Sequence, residues 1–395
     1  MNSVPIAVGL SLLAMPLLLA LVAYVLYPAG LKILTLLRPA DGLPEERPQE
    51  WPAISLVVPA YNEADVIREK LENLLGLSYP EDRRQILIVS DASTDGTDDI
   101  VREYADRGVE LIRLDDRGGK TAAENAARHH VTGDIIVNTD ATIRLLPDSV
   151  ERLVRAFRDP SIGVASGRDI SVAPGEESTV NPGEKTYVDY EMWVRALETR
   201  LGGIVGASGC FFGIRKELFG TLVPEALSRD FASPMIAEAS GYRAVSVNDA
   251  CCLVPRTGSL RSEYRRKIRT MARGLETLWA YRRLLNPLRH PRFSTMLVFH
   301  KLMRWLVPLS LPLALVGLLL LAADGILSWH LVAGALLLGL GLGAGSAWWS
   351  ERGEAPPLVN SLAYGMLSAV GGLVAWAKAL SGEKKPTWEP TRRSA

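Results

Sequence analysis

Four short polar clusters follow apolar runs in the central part of the chain. They supply carboxylates, hydroxyls, an ammonium and glycine amides, which are the groups that bind ribose hydroxyls, phosphates and divalent cations. Each cluster alone is also compatible with a turn that leads from a strand into a helix. Their order and spacing together predict a pocket for a ribose and a diphosphate. The clusters are residues 59–63 (PAYNE), 90–97 (SDASTDGT), 117–121 (RGGKT) and 138–142 (NTDAT).

The first two clusters contain both capping residues and candidate ligands. Asn62 is a residue type that caps helix N-termini, and Glu63 suits the positive end of a helix dipole. In the second cluster, Asp91 can accept hydrogen bonds from a base or a ribose, while Asp95 and Thr97 shape the loop. Two interpretations therefore stay open, a plain helix start and part of a pocket.

The glycine-rich third cluster is not a phosphate-binding P-loop. That motif needs a glycine at position 114, and the chain has Leu114 there. Two glycines and Lys120 ahead of a helix nevertheless suit a diphosphate, which backbone amides and an ammonium can face. In the fourth cluster, Asp140 follows a strongly apolar run, where its carboxylate can ligate a divalent cation bound to the diphosphate.

The clusters lie between runs whose patterns predict alternating strands and helices. Short β-branched runs predict strands, and the apolar spacing between them predicts helices. Alternation of this kind indicates an α/β fold with a mostly parallel sheet and helices on both faces. Ligands of such sheets bind beyond the carboxyl ends of the strands, which is where the clusters fall. The predicted strands are residues 54–58, 85–90, 110–114 and 134–138, and the predicted helices are residues 62–75, 97–107 and 121–130.

From residue 54 to residue 274, the order of these motifs resembles family 2 glycosyltransferases of the GT-A fold. That group includes cellulose, hyaluronan and poly-N-acetylglucosamine synthases and many exopolysaccharide enzymes. The resemblance implies a Rossmann-like GT-A domain that binds a nucleotide diphosphate sugar, with a UDP-sugar expected. It also implies that Asp140 opens the acidic motif that reaches the ribose and the metal, Mg2+ or Mn2+. The residues that the resemblance assigns to the nucleotide sugar are Pro59, Tyr61, Glu63, Asp91, Lys120 and Asp140.

Two later segments resemble the acceptor side and the catalytic base of the same family. Ser208 and Gly209, in the run GASGC, correspond to the acceptor loop, and a plain glycine-rich turn is the alternative. Asp230, in the run RDF, corresponds to the catalytic base. An acceptor hydroxyl is a poor nucleophile until a carboxylate takes its proton. The alternative for Asp230 is a surface ion pair with Arg229.

Two departures from the family pattern affect what the resemblance implies. The acidic motif usually ends in Asp or Asn, whereas this chain has Thr142, a weaker metal ligand for which Asp140 or water would compensate. The segment of residues 264–274 lacks the Gln and Trp of processive synthases, which leaves processivity open. Its arginines can still offset the diphosphate charge, or the segment can be an interfacial helix that binds anionic lipid. The arginines assigned to the diphosphate and acceptor are Arg266, Arg269 and Arg273.

Four long apolar runs predict membrane-spanning helices. Residues 4–27, 305–323, 325–350 and 358–377 contain no Asp, Glu, Lys or Arg, and each is long enough to cross a bilayer. A cleaved signal peptide is the alternative for the first run, but no basic residue precedes it. Basic residues at the inner ends of the first two runs predict a cytoplasmic central domain. Four spans would place the basic tail outside, so either one run does not cross or the tail is an exception to the charge rule.

The formal net charge of zero hides a local asymmetry. Residues 255–304 hold thirteen Lys or Arg against two Glu, which predicts contact with anionic headgroups or phosphates. Three cysteines without zinc-ligand spacing suit a reducing compartment. The expected domains are residues 1–50 as a membrane anchor, interfacial segment and linker, 51–260 as the GT-A catalytic domain, 261–304 as basic interfacial helices, 305–380 as three transmembrane helices and 381–395 as a basic tail.

Together these features predict a multi-pass enzyme of the inner (plasma) membrane that transfers a sugar with inversion to a polysaccharide or lipid-linked acceptor. Two alternatives stay open, single-sugar transfer to a polyprenyl phosphate or glycolipid and a non-catalytic binder of nucleotide sugars that regulates a partner synthase. A pure transporter is disfavoured because the apolar runs hold His330 but no carboxylate, lysine or arginine. The expected partners are a nucleotide diphosphate sugar, a glycan or lipid-linked acceptor, the lipid bilayer and a polysaccharide-export or synthase protein, with no nucleic acid.

Overall fold

The structure is a computed structural model that describes residues 3–37, 43–44, 50–172, 182–255, 260–350 and 356–382. It divides into two compact units. The helical unit comprises Met1–Ile33, Gly258–Leu275 and Thr295–Glu383. The sheet unit comprises Leu34–Thr257, Glu276–Ser294 and Lys384–Ala395.

Long apolar helices make up the helical unit. Two π-helical turns, Val22–Leu26 and Leu297–Leu302, join consecutive helices into longer continuous ones.

In chain order, the α-helices among the described residues of the whole chain are α1 (Ser3–Leu21), α2 (Tyr27–Leu37), α3 (Ala64–Leu75), α4 (Thr97–Arg102), α5 (Lys120–Ala127), α6 (Ser149–Arg155), α7 (Pro182–Leu201), α8 (Lys216–Phe219), α9 (Arg229–Ala239), α10 (Leu260–Ala280), α11 (Pro291–Met296), α12 (Met303–Ala323), α13 (Trp329–Ser350) and α14 (Pro357–Ser381).

Three helical stretches among the described residues are long and apolar enough to cross a membrane. They are Val4–Leu37, Pro291–Ala323 and Trp329–Ser346. Gly365–Ser381, within α14, is a shorter apolar helix. By length and composition, the structure supports three of the four predicted spans, and the fourth stays a prediction. The interfacial segment predicted within residues 1–50 falls on α2, which continues the first long helix.

The sheet unit is built on one sheet, which has eight strands in the described residues. Their order across the sheet is β3-β2-β1-β4-β7-β6-β8-β5. The strands are β1 (Ile54–Ala60), β2 (Arg84–Ser90), β3 (Val109–Arg113), β4 (Ile135–Thr139), β5 (Arg144–Leu145), β6 (Ile162–Val172), β7 (Phe211–Arg215) and β8 (Arg243–Pro255).

The sheet is mixed but mostly parallel, as predicted. Strand β1 runs parallel to β2 and β4 on either side, and β2 runs parallel to β3. Strand β7 is antiparallel to both β4 and β6, β6 is parallel to β8, and the short edge strand β5 is antiparallel to β8. All seven residues of β1 are buried, which explains why six of the seven are apolar: helices cover both faces of a central parallel strand.

Two apolar cores lie on the two faces of the sheet. Leu56 of β1 packs with Ile67 of α3 in one core, while its neighbour Val57 packs with Ala123 of α5 in the other. Successive side chains of a strand point to opposite faces, so α3 and α5 cover opposite faces of the sheet. These two helices begin beside the first and third polar clusters and therefore fix where those clusters lie.

The four predicted strands are confirmed, with ends shifted by one or two residues. The helix predicted from residue 62 begins instead at Ala64, because Asn62 has a φ of 52°, a left-handed conformation that cannot belong to a right-handed helix. The helix predicted for residues 97–107 is shorter, since α4 ends at Arg102 and a 3-10 turn, Ala105–Arg107, follows it.

Candidate active site

The sheet topology brings the polar clusters to one edge. The four clusters follow β1, β2, β3 and β4, which lie side by side in the order β3-β2-β1-β4 and are parallel, so the carboxyl ends of these strands meet at the same edge. Strand β7 is antiparallel to β4, and its first residue, Phe211, pairs with Thr139 at the end of β4. The run GASGC that precedes β7 therefore reaches this edge as well. This is the edge where α/β sheets bind ligands.

The second cluster holds the start of α3 in place. The Glu63 amide donates to Thr97 Oγ1 (2.9 Å), and the Ala64 amide donates to Asp95 Oδ2 (3.0 Å). Asn62 does not cap this helix, because its side-chain oxygen accepts from the Thr94 amide (2.8 Å) instead. The clusters after β1 and β2 thus form one hydrogen-bonded loop pair, in which Glu63 itself is buried.

Asp91 positions the glycine turn of the third cluster. Its side chain is fully buried, and its two oxygens accept from the amides of Gly118 (2.7 Å) and Gly119 (2.8 Å). The expectation that these two amides face a diphosphate is therefore wrong in this structure. Gly119 has a φ of 91°, a conformation that favours glycine. Contact of Asp91 with a base or ribose stays a prediction.

Tyr61 offers an aromatic face at the same edge. The guanidinium carbon of Arg117 lies 3.8 Å from the centre of the Tyr61 ring, in a cation–π contact. Both side chains are partly exposed. Pro59, in contrast, is buried within β1, one residue before its end.

Lys120 connects the third cluster to the fourth and to the acceptor loop. Its ammonium donates to Asp140 Oδ1 and to the Gly209 carbonyl (2.7 Å). Burial alone would lower the pKa of Lys120, but the surrounding carboxylates, led by Asp140, raise it above its usual value. The carboxylates around Lys120 thus favour its charged form within the site.

Asp230, the predicted base, lies against the acceptor loop. The Ser228 hydroxyl donates to its Oδ1, and its Oδ2 would lie 3.0 Å from a Cβ placed on Gly209. The alternative of a surface ion pair with Arg229 is wrong. Arg229 is 1% exposed, and its guanidinium donates to Asn125 Oδ1 and to the carbonyls of Phe219 and Thr221. It therefore does not pair with Asp230.

Ser208 fixes the other end of the acceptor loop. Its hydroxyl donates to Asp169 Oδ1 (2.5 Å), and its amide donates to Ser166 Oγ (2.7 Å). Ser208 is buried, whereas Gly209 beside it is half-buried. Of these two predicted residues, Ser208 shapes the loop and Gly209 faces the candidate base.

The residues around Asp140 fit a divalent cation that is held mainly by the phosphates of a bound nucleotide. Within the described ranges, no three His, Cys, Asp or Glu side chains group closely enough to hold a metal by themselves. Magnesium in phosphate sites is commonly held by one or two carboxylates together with substrate phosphates and water. Asp140, whose carboxylate is 33% exposed, can provide such a carboxylate, and Thr142 lies half-buried in the same loop.

Two buried ionisable residues of the site were not predicted. Lys70 of α3 donates to Thr139 and Ile143 around the fourth cluster, and burial lowers its pKa to about 7. Glu124, one helical turn after Lys120, is 1% exposed, and burial raises its pKa to about 7. The spacing of Glu124 from Lys120 could have identified it, but in sequence Lys70 looks like an ordinary exposed residue of an amphipathic helix.

The remaining predicted site residues belong to the helical unit. Arg266, Arg269 and Arg273 lie on α10. Their spacing of three and four residues places them on one face of that helix. Their role at the diphosphate or acceptor stays a prediction.

A cavity of about 760 Å3 in the sheet unit is separate from this site. Its lining includes Arg155, Asp159, Arg243 and Asp249. Arg243 pairs with Ile162 where β8 and β6 begin, so the cavity reaches the sheet edge opposite the polar clusters.

Comparison with known proteins identifies the domain. Residues 55–223 match the model of the family described as Glycosyl transferase family 2. This range contains the four polar clusters and the acceptor loop, and the sheet has the GT-A arrangement. The match supports a family 2 glycosyltransferase domain over residues 55–223, which is less than half of the chain.

Curated relatives match parts of the chain. The probable glycosyltransferase YdaM of Bacillus subtilis is 37% identical over 101 residues, which cover 24% of this chain and 24% of the relative. An N-acetylglucosaminyltransferase of Bradyrhizobium diazoefficiens is 26% identical over 299 residues, covering 70% of this chain and 59% of the relative. A beta-monoglucosyldiacylglycerol synthase of Synechocystis is 32% identical over 152 residues, covering 35% and 32%. The matched segments thus span less than two thirds of these relatives.

One solved structure resembles nearly the whole chain. The mannosyltransferase PcManGT from Pyrobaculum calidifontis, solved in complex with GDP-Man and Mn2+, matches with a TM-score of 0.74 and 25% identity. The match covers 96% of this chain and 99% of that chain.

Proposed function

We propose that the chain is an inverting glycosyltransferase that moves a sugar from a nucleotide diphosphate sugar to a polysaccharide or lipid-linked acceptor at a membrane. The observation that carries this proposal is that Lys120 donates to both Asp140 and the Gly209 carbonyl, while Asp230 lies against Gly209. A cation, a candidate metal ligand and a candidate base are the three groups that such a transfer needs, and they come from three separate parts of the sequence.

Asp230 acts as the general base. Ser228 fixes one of its oxygens, and the other faces Gly209, where an acceptor hydroxyl would arrive. The proton of that hydroxyl passes to Asp230 Oδ2 while the acceptor oxygen forms its bond to the anomeric carbon. The bond from that carbon to the diphosphate breaks, and its electron pair leaves on the diphosphate oxygen. From an α-linked donor, this displacement gives a β linkage.

Lys120 and Asp140 serve the leaving group. The ammonium of Lys120 is positioned to offset the negative charge that develops on the departing diphosphate. Bound Mg2+ or Mn2+ would supply further charge neutralisation there, with Asp140 as its protein ligand. We propose a divalent cation because the residues fit one and because PcManGT was solved with Mn2+.

The donor nucleotide is the finer part of this proposal. A UDP-sugar is expected from the family resemblance, and the N-acetylglucosaminyltransferase relatives support N-acetylglucosamine as the sugar. The likeness to PcManGT over nearly the whole chain favours GDP-mannose as the second candidate. UDP-sugars and GDP-mannose are therefore both included in the donor panel of the test described below.

An enzyme held at a membrane suits an acceptor that is itself linked to a lipid. The three apolar helices suit an enzyme held at the bilayer, and the basic flanks of the apolar runs favour a cytoplasmic catalytic domain in the plasma membrane. The glucosyldiacylglycerol synthase relative and an undecaprenyl-phosphate sugar transferase of Edwardsiella ictaluri, 32% identical over 107 residues, support a lipid-linked acceptor. Polymer synthesis remains the other outcome, since the resemblance includes polysaccharide synthases.

The test is release of nucleoside diphosphate by the full chain in lipid nanodiscs. A panel of UDP- and GDP-sugars is supplied with Mg2+ or Mn2+, together with a membrane lipid extract as acceptor. Metal-dependent release from one donor is expected, and product sizing then separates a single-sugar lipid from a polymer. Donor binding without release under all of these conditions would contradict the proposal and favour a regulatory binder of nucleotide sugars.

A further inference from the structure

Lys70 is a buried lysine directly beneath the fourth polar cluster. Its side chain is 2% exposed, and its ammonium donates to Thr139 Oγ1 (3.0 Å) and to the Ile143 carbonyl (2.6 Å). Thr139 immediately precedes Asp140, and Ile143 comes three residues after it. One side chain therefore holds both ends of the short segment that presents Asp140 to Lys120.

Packing alone does not account for a lysine at this position. Its neighbours on the buried face of α3, Ile67, Leu71 and Leu74, are all fully buried apolar residues. Burying an ammonium is costly unless hydrogen bonds replace its hydration, whereas an apolar side chain would carry no such cost. In exchange, Lys70 provides a charged donor that reaches two acceptors of the same loop, which a leucine or methionine cannot do.

The helix that carries Lys70 is itself firmly placed. Its start is fixed by Asp95 and Thr97, through the amides of Ala64 and Glu63. One turn after Lys70, Asn73 exchanges two hydrogen bonds with the backbone of Leu145 (2.8 and 2.9 Å). Lys70 and Asn73 thus hold successive parts of one segment, but only Lys70 brackets Asp140.

We propose that Lys70 is a positioning residue for the donor, which joins Thr139 to Ile143 and thereby holds Asp140 in the orientation that a diphosphate requires. The proposal rests on the proposed function for its ligand, a nucleoside diphosphate with a divalent cation. It predicts that loss of Lys70 weakens donor binding and lowers kcat/KM for the donor.

The test measures equilibrium binding of UDP and of GDP, with Mn2+, to the full chain in nanodiscs by calorimetry. Lys70→Met, which keeps the length of the side chain, is expected to bind at least about tenfold more weakly, the range typical of residues that orient a ligand. Asn73→Ala is the matched control, because it removes the neighbouring contacts to the same segment, and it should bind within about threefold of wild type. In turnover, kcat/KM for the donor should fall in Lys70→Met and stay within about threefold of wild type in Asn73→Ala.

Thr139→Val provides a second arm in case Lys70→Met does not fold. It deletes one acceptor of Lys70 with little change in volume, and it should also weaken nucleotide binding more than Asn73→Ala does. Equal binding by wild type and Lys70→Met, or equal loss in Lys70→Met and Asn73→Ala, would overturn the proposal alone. Wild type that binds nucleotide but transfers no sugar would contradict the proposed function alone, and wild type that binds no nucleotide would overturn both.

Discussion

At the scale of single residues, the site depends on ionisable groups whose charges interact. Glu124 lies within one helical turn of Lys120, and burial raises its pKa to about 7, against the opposing effect of Lys120 and Arg229. One of its oxygens has no hydrogen-bond partner, and the other lies 3.8 Å from Arg229 Nε. A carboxylate in this environment is costly to ionise.

Glu124 should therefore make stability depend on pH. Its pKa in the folded state is above the ordinary value of 4.5, so between pH 4.5 and 7 the folded state binds the extra proton and loses stability as pH rises. Glu124→Gln removes this titration. We expect the variant to gain stability relative to wild type between pH 5 and pH 8, by up to about 3 kcal/mol. Thermal unfolding at the two pH values measures this, and a constant difference between the two proteins would contradict it.

Gly209 should be required for the position of the base. A Cβ at this residue would lie 3.0 Å from Asp230 Oδ2, closer than an ordinary contact, and Ser228 restricts how far the carboxylate can move away. Gly209→Ala is expected to lower kcat about tenfold with little change in donor affinity, since small misplacements of reacting groups are costly. Gly220→Ala is the control, because the added Cβ would make only an ordinary contact there, 3.6 Å from the Glu217 carbonyl. Equal activity of the two variants would refute the assignment.

Lys120 and Asp140 were predicted from residue types at a helix start and a strand end, and Asp230 from the family resemblance. The structure brings the three close together, and their roles stay predictions. The sequence did not predict the hydrogen bonds of Asp91 with the amides of Gly118 and Gly119, because these depend on how two loops meet. Lys70 could not be recognised either. Its burial follows from the approach of a separate segment, and the local sequence carries no record of it.

At the scale of elements, the loops after β1 and β2 stabilise each other. Asp95 accepts hydrogen bonds from the Ala64 amide, the Thr97 amide and the Thr97 hydroxyl. These contacts, which oppose the effect of partial burial, keep its pKa below the usual value. Asp95 thereby caps α3 from a different loop, a function that sequence patterns assign to the residue directly before the helix.

Loss of this remote cap should destabilise the domain. Asp95→Ala is expected to cost about 1 to 2 kcal/mol, the range for loss of a helix cap, which corresponds to a fall in Tm of about 2 to 8 °C. Asp99→Ala is the control, because Asp99 is 82% exposed and pairs only with the exposed Arg102 in the described residues. Unfolding followed by circular dichroism compares the two, and an equal effect of both substitutions would show that Asp95 has no capping role.

The strands were predictable because apolar β-branched runs have few alternatives in a sheet covered on both faces. Helix boundaries were less so. The start of α3 depends on the left-handed conformation of Asn62, which its hydrogen bond to Thr94 supports. This backbone conformation arises from contact between two loops, so the local sequence pattern does not reveal it.

At the scale of the whole molecule, a family 2 glycosyltransferase domain is combined with long apolar helices. With three spans, the central domain and the tail would lie on the same side of the membrane. That arrangement agrees with the positive charge of the tail, which four spans would place on the wrong side. The conflict found in the sequence is thus removed if one of the three apolar runs that follow the central domain does not cross.

The most direct test of the central claim compares wild type with Asp230→Asn in nanodiscs, using the donor found in the panel and the lipid extract as acceptor. We expect nucleoside diphosphate release to fall at least about a hundredfold while the donor Kd stays within about threefold, because a positioned base contributes that much to the rate. Asp99→Asn, a carboxylate-to-amide change at an exposed site, should keep the wild-type rate. Turnover by Asp230→Asn within about threefold of wild type would contradict the assignment of Asp230 as the base.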